Sequence, residues 1–279
     1  MQNTSGQVAA AGFPEMWQPV YQRYKQFFDC AGKLQPIVSK MITTPIEGHL
    51  QQMVGHMVAA AANTYGALLT LVLNGFGHEA MKLARSLFEV ELNILRLKLH
   101  PDELADYLDY NLIQQKQLYD VLSDEQKQLF SSSRYDEMMS AYNSVLGRFA
   151  TGRDKARPRN EWCRESLYER AKEAGPEHLD LYRIFYRQAS SLHHLDIAGI
   201  IHQLDDGLFA NMAPSWASLD DALVATGSFI RSIAIFDELA NLGLKEQLEN
   251  GPVADYLAAC KSLNAEISES PLNPTGAAP

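Results

Sequence analysis

The sequence predicts an all-α protein: a single multi-helix bundle packed around two long buried helices, with no sheet. Three observations lead there. Apolar residues recur at three- and four-residue spacing along most of the chain, strand-type alternation never persists beyond a few residues, and helix start and stop residues punctuate the periodic stretches. With 279 residues, 46% hydrophobic and 21% charged, the chain resembles ordinary globular proteins and can bury a substantial core. One helical domain over 14–267 is therefore expected, with a flexible N-terminus, 1–13, and a disordered tail, 268–279.

Trp17, Tyr21, Tyr24 and Phe28 form an aromatic stripe and predict a first helix over Glu15–Ala31, followed by a Pro-containing break. Pro45 is placed to open a long helix to Leu73, which Asn74 and Gly75 end as a left-handed cap. The stretch Met53–Leu73 is apolar, but His56, Asn63, Thr64, Tyr65 and Thr70 interrupt it and no basic flank follows, so it reads as a buried core helix and not a membrane span. A third helix, His78–Leu99, carries Leu83, Leu87, Ile94 and Leu97 on one side and stops at Pro101. A fourth spans Asp102–Leu122, and Ser123 with Gln126 forms a capping-box pattern that starts a short fifth. Tyr135–Phe149 is amphipathic, Ala150–Asn160 is a loop, and Glu161–Ala174 reads as a charged helix anchored by Trp162. Gly175-Pro176 opens the second long helix, to Leu204; Ser218 caps a further one through Leu242, and Gly251-Pro252 precedes the last, which ends near Ile267.

The net charge of -10 opposes non-specific attraction to phosphate backbones and anionic membranes, and no membrane partner is expected. Cys30, Cys163 and Cys260 are odd in number and lack zinc-ligand spacing, which argues against a disulfide framework or a structural zinc. Met1–Phe13 has neither the basic nor the apolar region of a secretory signal, so a cytoplasmic location is expected. Charge is uneven: Arg148 to Arg187 holds ten Lys or Arg against seven Asp or Glu. The basic loop from Arg148 to Arg159, with Arg153, Lys155 and Arg157, is a candidate contact for RNA or a nucleotide phosphate, although such runs are commonly just solvated.

The candidate site lies on the second long helix. Helical spacing puts Arg183, Tyr186, Arg187, Ser190 and His194 on one side, and Leu181, Phe185 and Leu192 on the other. Ile197 and Ile201 continue the polar side as apolar positions, so the row is expected to face protein or a cleft, with Glu79, Arg85 and Glu89 of the third helix as neighbours. A contact from Glu89 to Arg187 or His194 is expected. Two readings stand: a catalytic or ligand-binding face, or a buried hydrogen-bond and ion-pair network that sets helix register.

Metal and cofactor chemistry have little support. No Glu-x-x-His, no HExxH and no pair of histidines four apart occurs, and the adjacent His193 and His194 point to different sides of a helix. Ser190 and His194 share a face four residues apart, but no GxSxG elbow and no Gly-rich phosphate loop accompanies them. No metal and no cofactor is therefore expected.

The run Gly77-His78-Glu79-Ala80, then Leu83-Ala84-Arg85-Ser86-Leu87-Phe88-Glu89, and the later stretch Tyr186 to His194 resemble a bacterial all-helical family of unknown function, domain of unknown function fifty-six seventy-seven, over about Leu68 to Ile201. That resemblance implies a fold and no activity. Arg187 followed by His193 or His194 is also similar to the Arg-x(4-6)-His motif of the HEPN superfamily of helical nucleases and nucleotide-binding domains, although Gln188 replaces the asparagine or other polar residue common after the arginine. The HEPN resemblance implies a metal-independent endoribonuclease of a defence or stress system, in which histidine transfers a proton and arginine steadies phosphate. It also implies a homodimer, with the site between two subunits. The catalytic candidates are then Arg187, His194 and His193, with Glu79, Arg85, Glu89, Arg183, Tyr186 and Ser190 as ligand-binding or supporting residues. The alternative is a non-enzymatic interaction or ligand-binding module in which these polar residues form a structural network.

Overall fold

The computed structural model describes residues 14–150, 158–194 and 215–269. Among these every regular element is helical, and extended backbone pairs only in an isolated bridge between Ala150 and Pro158. The helices are α1 (Trp17–Arg23), α2 (Lys25–Thr43), α3 (His49–Leu73), α4 (Gly77–Leu99) and α5 (Leu104–Asp120). There follow α6 (Asp124–Lys127), α7 (Ser132–Phe149), α8 (Leu167–Ala174), α9 (Pro176–Leu181) and, after a π-turn at Tyr182–Tyr186, α10 (Arg187–His194). The last are α11 (Trp216–Ala225), α12 (Gly227–Ala240), α13 (Lys245–Leu248) and, after a π-turn at Glu249–Val253, α14 (Ala254–Glu269).

The residues cluster in two compact units, one made of the chain up to Leu95 together with the chain from Gly175, the other of Arg96–Ala174. In the first unit α3 is long and apolar enough to cross a membrane by length and composition alone, and its stripe Val54, Val58, Ala61, Leu68 and Val72 is buried. It packs on α12, where Tyr65 stacks on Phe229 at 4.8 Å between ring centroids. Gly55 permits this approach, since a Cβ there would stand 2.9 Å from Phe236 Cζ. A tighter contact joins α4 to α11: a Cβ on Gly77 would lie 2.8 Å from Ser218 Cβ and 2.9 Å from the Leu219 nitrogen. α2 packs on α14, with Phe27 edge-on to Tyr256 at 6.0 Å.

In the second unit α5 pairs with α7, and Tyr110 meets Phe149 edge to face at 5.4 Å. The irregular stretch before α8 is held by Trp162 against Tyr107 at 5.1 Å, and by Arg96, whose guanidinium meets Glu103, Glu165 and Glu173.

Several boundaries differ from the expected ones, each for a local reason. No break follows Ala31; α2 runs through Pro36 to Thr43. Pro36 and the Gly32 carbonyl it leaves without a helical donor are both on the exposed side, where water can bond the carbonyl, while Leu34, Ile37, Val38 and Met41 stay buried. α3 starts at His49 and not at Pro45, because Gly48 at φ 90° is outside the helical region. The expected helix from Glu161 begins only at Leu167, where Ser166 and Glu169 form a reciprocal capping box. Ser215, and not Ser218, caps the next helix, which is interrupted at Thr226, whose hydroxyl donates to the Leu223 carbonyl. Asn241, at φ 51°, terminates α12. The capping box at Ser123 and Gln126 forms as the spacing predicts. The expected continuation of α10 to Leu204, residues 1–13 and the tail beyond Glu269 lie outside the described residues.

Candidate functional site

Gly175, at φ 121°, and Pro176 start the helical stretch that carries the candidate site. It buries Phe185, Ala189 and Leu192, as the three- and four-residue spacing requires. Between α9 and α10 the π-turn lets the Arg187 amide reach the Tyr182 carbonyl, one residue further than in an α-helix. Tyr182 and Tyr186 consequently stack, with centroids 5.1 Å apart and planes 16° from parallel.

Tyr186 faces α4. Its hydroxyl donates to Glu89 Oε1 at 2.8 Å and accepts from Arg85 Nη2 at 3.0 Å, while Arg85 and Glu89 form an i,i+4 ion pair at 2.8 Å. The Arg85 guanidinium also covers the Tyr186 ring at 5.1 Å, and Phe88 packs on it at 5.8 Å. Burial, followed by the hydrogen bond from Arg85 acting downward and that to Glu89 acting upward, pushes the phenol up to about 12, so Tyr186 stays protonated as the donor this arrangement needs. Arg85 Nε is buried without a hydrogen-bond partner among the described residues.

The structure brings together three of the nine candidate residues, Arg85, Glu89 and Tyr186. Glu89 is taken up by Arg85 and Tyr186 where a contact with Arg187 or His194 was expected. Glu79 pairs instead with Lys82 at 2.7 Å, and Arg183, half-exposed, stands 3.9 Å from Asp180. Arg187, His193 and His194 are exposed, Ser190 is partly exposed, and the two imidazoles lie nearly perpendicular with centroids 5.1 Å apart. The row is therefore polar as expected, but of its five members only Tyr186 is shown bonded to α4.

A second cluster escaped the sequence reading. Glu91 of α4 is 0% exposed; its Oε1 accepts from His178 Nε2 at 2.8 Å and from Arg231 Nε at 2.5 Å, and its Oε2 from Arg231 Nη2 at 3.0 Å. Arg231 also meets Glu177 at 3.2 Å. Burial alone would raise the Glu91 carboxyl, but the His178 and Arg231 hydrogen bonds and the guanidinium charge outweigh it and hold the group below its ordinary range. The available signal was a charge on each of two apolar faces: Glu91 four residues from Leu87 and three from Ile94, and Arg231 within Phe229-Ile230-Arg231-Ser232-Ile233.

In the second unit the basic loop is partly engaged. Arg148 pairs with Asp106 at 2.8 Å and with Asp109, while Arg159 donates to the Glu161 and Trp162 carbonyls. Arg153, Lys155 and Arg157 lie outside the described residues.

Comparison with protein-family models matches residues 51–208 to a family of unknown function (DUF5677), a wider span than the 68–201 suggested by the motifs. Comparison with curated proteins and with solved structures returned no match. The matched stretch is more than half of the chain and contains Arg85, Glu89, Glu91, His178 and Tyr186 to His194, whereas Arg231 lies beyond it. The chain belongs to the family of unknown function DUF5677.

Proposed function

We propose that this protein is a cytoplasmic, HEPN-like, metal-independent endoribonuclease that works as a homodimer, with Arg187 binding phosphate and His194, beside His193, transferring protons. The observation that carries this reading is exposure: Arg187, His193 and His194 face outward from a helix whose other side, Ala189 and Leu192, is buried, and Arg187 and His194 engage no carboxylate among the described residues. A cation and an imidazole in that state are available to a ligand. In the reaction, the ribose 2'-oxygen bonds to phosphorus as its proton passes to imidazole. The bond from phosphorus to the 5'-oxygen breaks and that oxygen takes up a proton, leaving a cyclic phosphate and a 5'-hydroxyl. Arg187 offsets charge on the non-bridging oxygens.

The test is cleavage of a single-stranded oligoribonucleotide in the presence of a chelator. Wild type cleaves; His194→Ala and Arg187→Ala each lose about 100-fold or more, the usual worth of a positioned acid-base or charge-stabilising group. Equal rates for the wild type and both folded variants would sink the proposal.

One observation favours a second reading, a non-enzymatic helical module for ligand or partner binding. Arg85, Glu89 and Tyr186 bond to one another across two helices, as a network that sets register does. Absence of cleavage by wild type, together with a marked stability loss in Glu89→Ala, selects that reading.

A further inference from the structure

A cleft of about 440 Å³ opens in the first unit between α9 with its π-turn, α11 and α14, a size that suits a small molecule. Its walls are apolar at depth, where Phe185, Ala225 and Leu263 are buried. They remain apolar at the mouth, where Ile184 is 73% exposed. Neither Arg187 nor His194 lines it, so it is distinct from the site proposed above.

Four carboxylates line the cleft against a single guanidinium, and internal pairing explains only some of them. Arg231 is matched by Glu91 beneath it, and Asp220 by the Tyr24 hydroxyl at 2.6 Å and Arg23 at 3.5 Å. Asp221 and Asp180 are exposed, and among the described residues the partner of Asp180 is Arg183 at 3.9 Å; both remain to meet a ligand, with Glu177 held at 3.2 Å by Arg231. An anionic ligand would meet like charge from both α9 and α11. A bare metal ion finds no trio of ligating side chains among the described residues, and the deep wall offers it no donor.

We propose that this cleft binds a small organic cation, a primary ammonium on an apolar body: the body lies on Phe185, Ala225 and Leu263, and the ammonium is held between Asp180 and Asp221. Isothermal titration of the full chain with hexylamine, hexanoate and spermidine at one ionic strength tests it. Hexylammonium binds saturably, hexanoate does not bind, and spermidine, whose methylene segments each lie between charged nitrogens and so offer no uncharged apolar end, binds more weakly. The double variant Asp180→Asn/Asp221→Asn alters two outward-facing side chains, keeps its helical circular dichroism and weakens hexylammonium by about fivefold or more. Hexanoate binding as tightly as hexylammonium, spermidine matching it, an unaffected double variant, or no saturable binding each overturns the proposal.

Discussion

One helical stretch, Pro176 to His194, carries two polar clusters of opposite character. In its first turn His178 joins Arg231 on the fully buried Glu91, and each of the three has a charged or hydrogen-bonding partner. In its last two turns Arg187, His193 and His194 present the same residue types to solvent. The difference is the counter-charge across the helix interface: α4 sets Glu91 opposite the first cluster, while its next carboxylate, Glu89, is already bonded to Arg85 and Tyr186. A histidine beside an arginine thus acquires its role from what the facing helix supplies.

The comparison breaks first at Glu91. Glu91→Ala should destabilise by about 3 to 5 kcal/mol in denaturant unfolding, because it leaves Arg231 without its buried partner. Joint replacement, Glu91→Leu with Arg231→Met, should restore most of that loss, and a double variant as unstable as the single one would show that the cluster does more than neutralise itself. The carboxyl is held below its ordinary 4.5, so its contribution is fully present above that pH. It is lost as pH falls from 4.5 through the lower folded value, and Glu91→Gln should flatten the stability profile in that acid window.

The tight contact of α4 with α11 is next in size. Gly77→Ala should cost about 1 to 3 kcal/mol in the same measurement, since its Cβ meets Ser218 and backbone of Leu219 that cannot swing aside. Tyr186→Phe should cost about 1 kcal/mol, the net worth of a hydroxyl bonded on both sides, with the ring still under Arg85. The smallest effect belongs to the exposed end: Arg187→Ala and His194→Ala should shift stability by less than about 0.5 kcal/mol. A melting-temperature loss there comparable to that of Glu91→Ala would erase the contrast and make the outward face structural.

The helices themselves were legible because their signals are local. Ser123 and Gln126 announce a capping box within four residues, and Asn74 and Gly75 end α3 where expected. Ser166 and Glu169 carry the same signal and mark the true start of α8, but the apolar anchor Trp162 upstream suggested a longer helix; it packs on Tyr107 from irregular backbone. Pro36 misleads in the opposite sense, since a proline breaks a helix only where nothing else meets the freed carbonyl. In the candidate site, the residues of the polar row and their helical phase could be read, and so could Arg85 and Glu89 as the facing groups.

By itself the sequence determined that this chain is helical, where most of its helices begin and end, and that Arg187 and His194 stand on one side of one of them. Those properties follow from propensity, caps and a period of 3.6, which operate over a few residues. Only the tertiary structure decided that Glu89 takes Tyr186, that Glu91 takes His178 and Arg231, and that Arg187 and His194 stay outside both. Pairing joins residues about 90 to 140 positions apart, and which carboxylate meets which cation depends on the crossing and phase of whole helices, a phase that one π-turn is enough to reset.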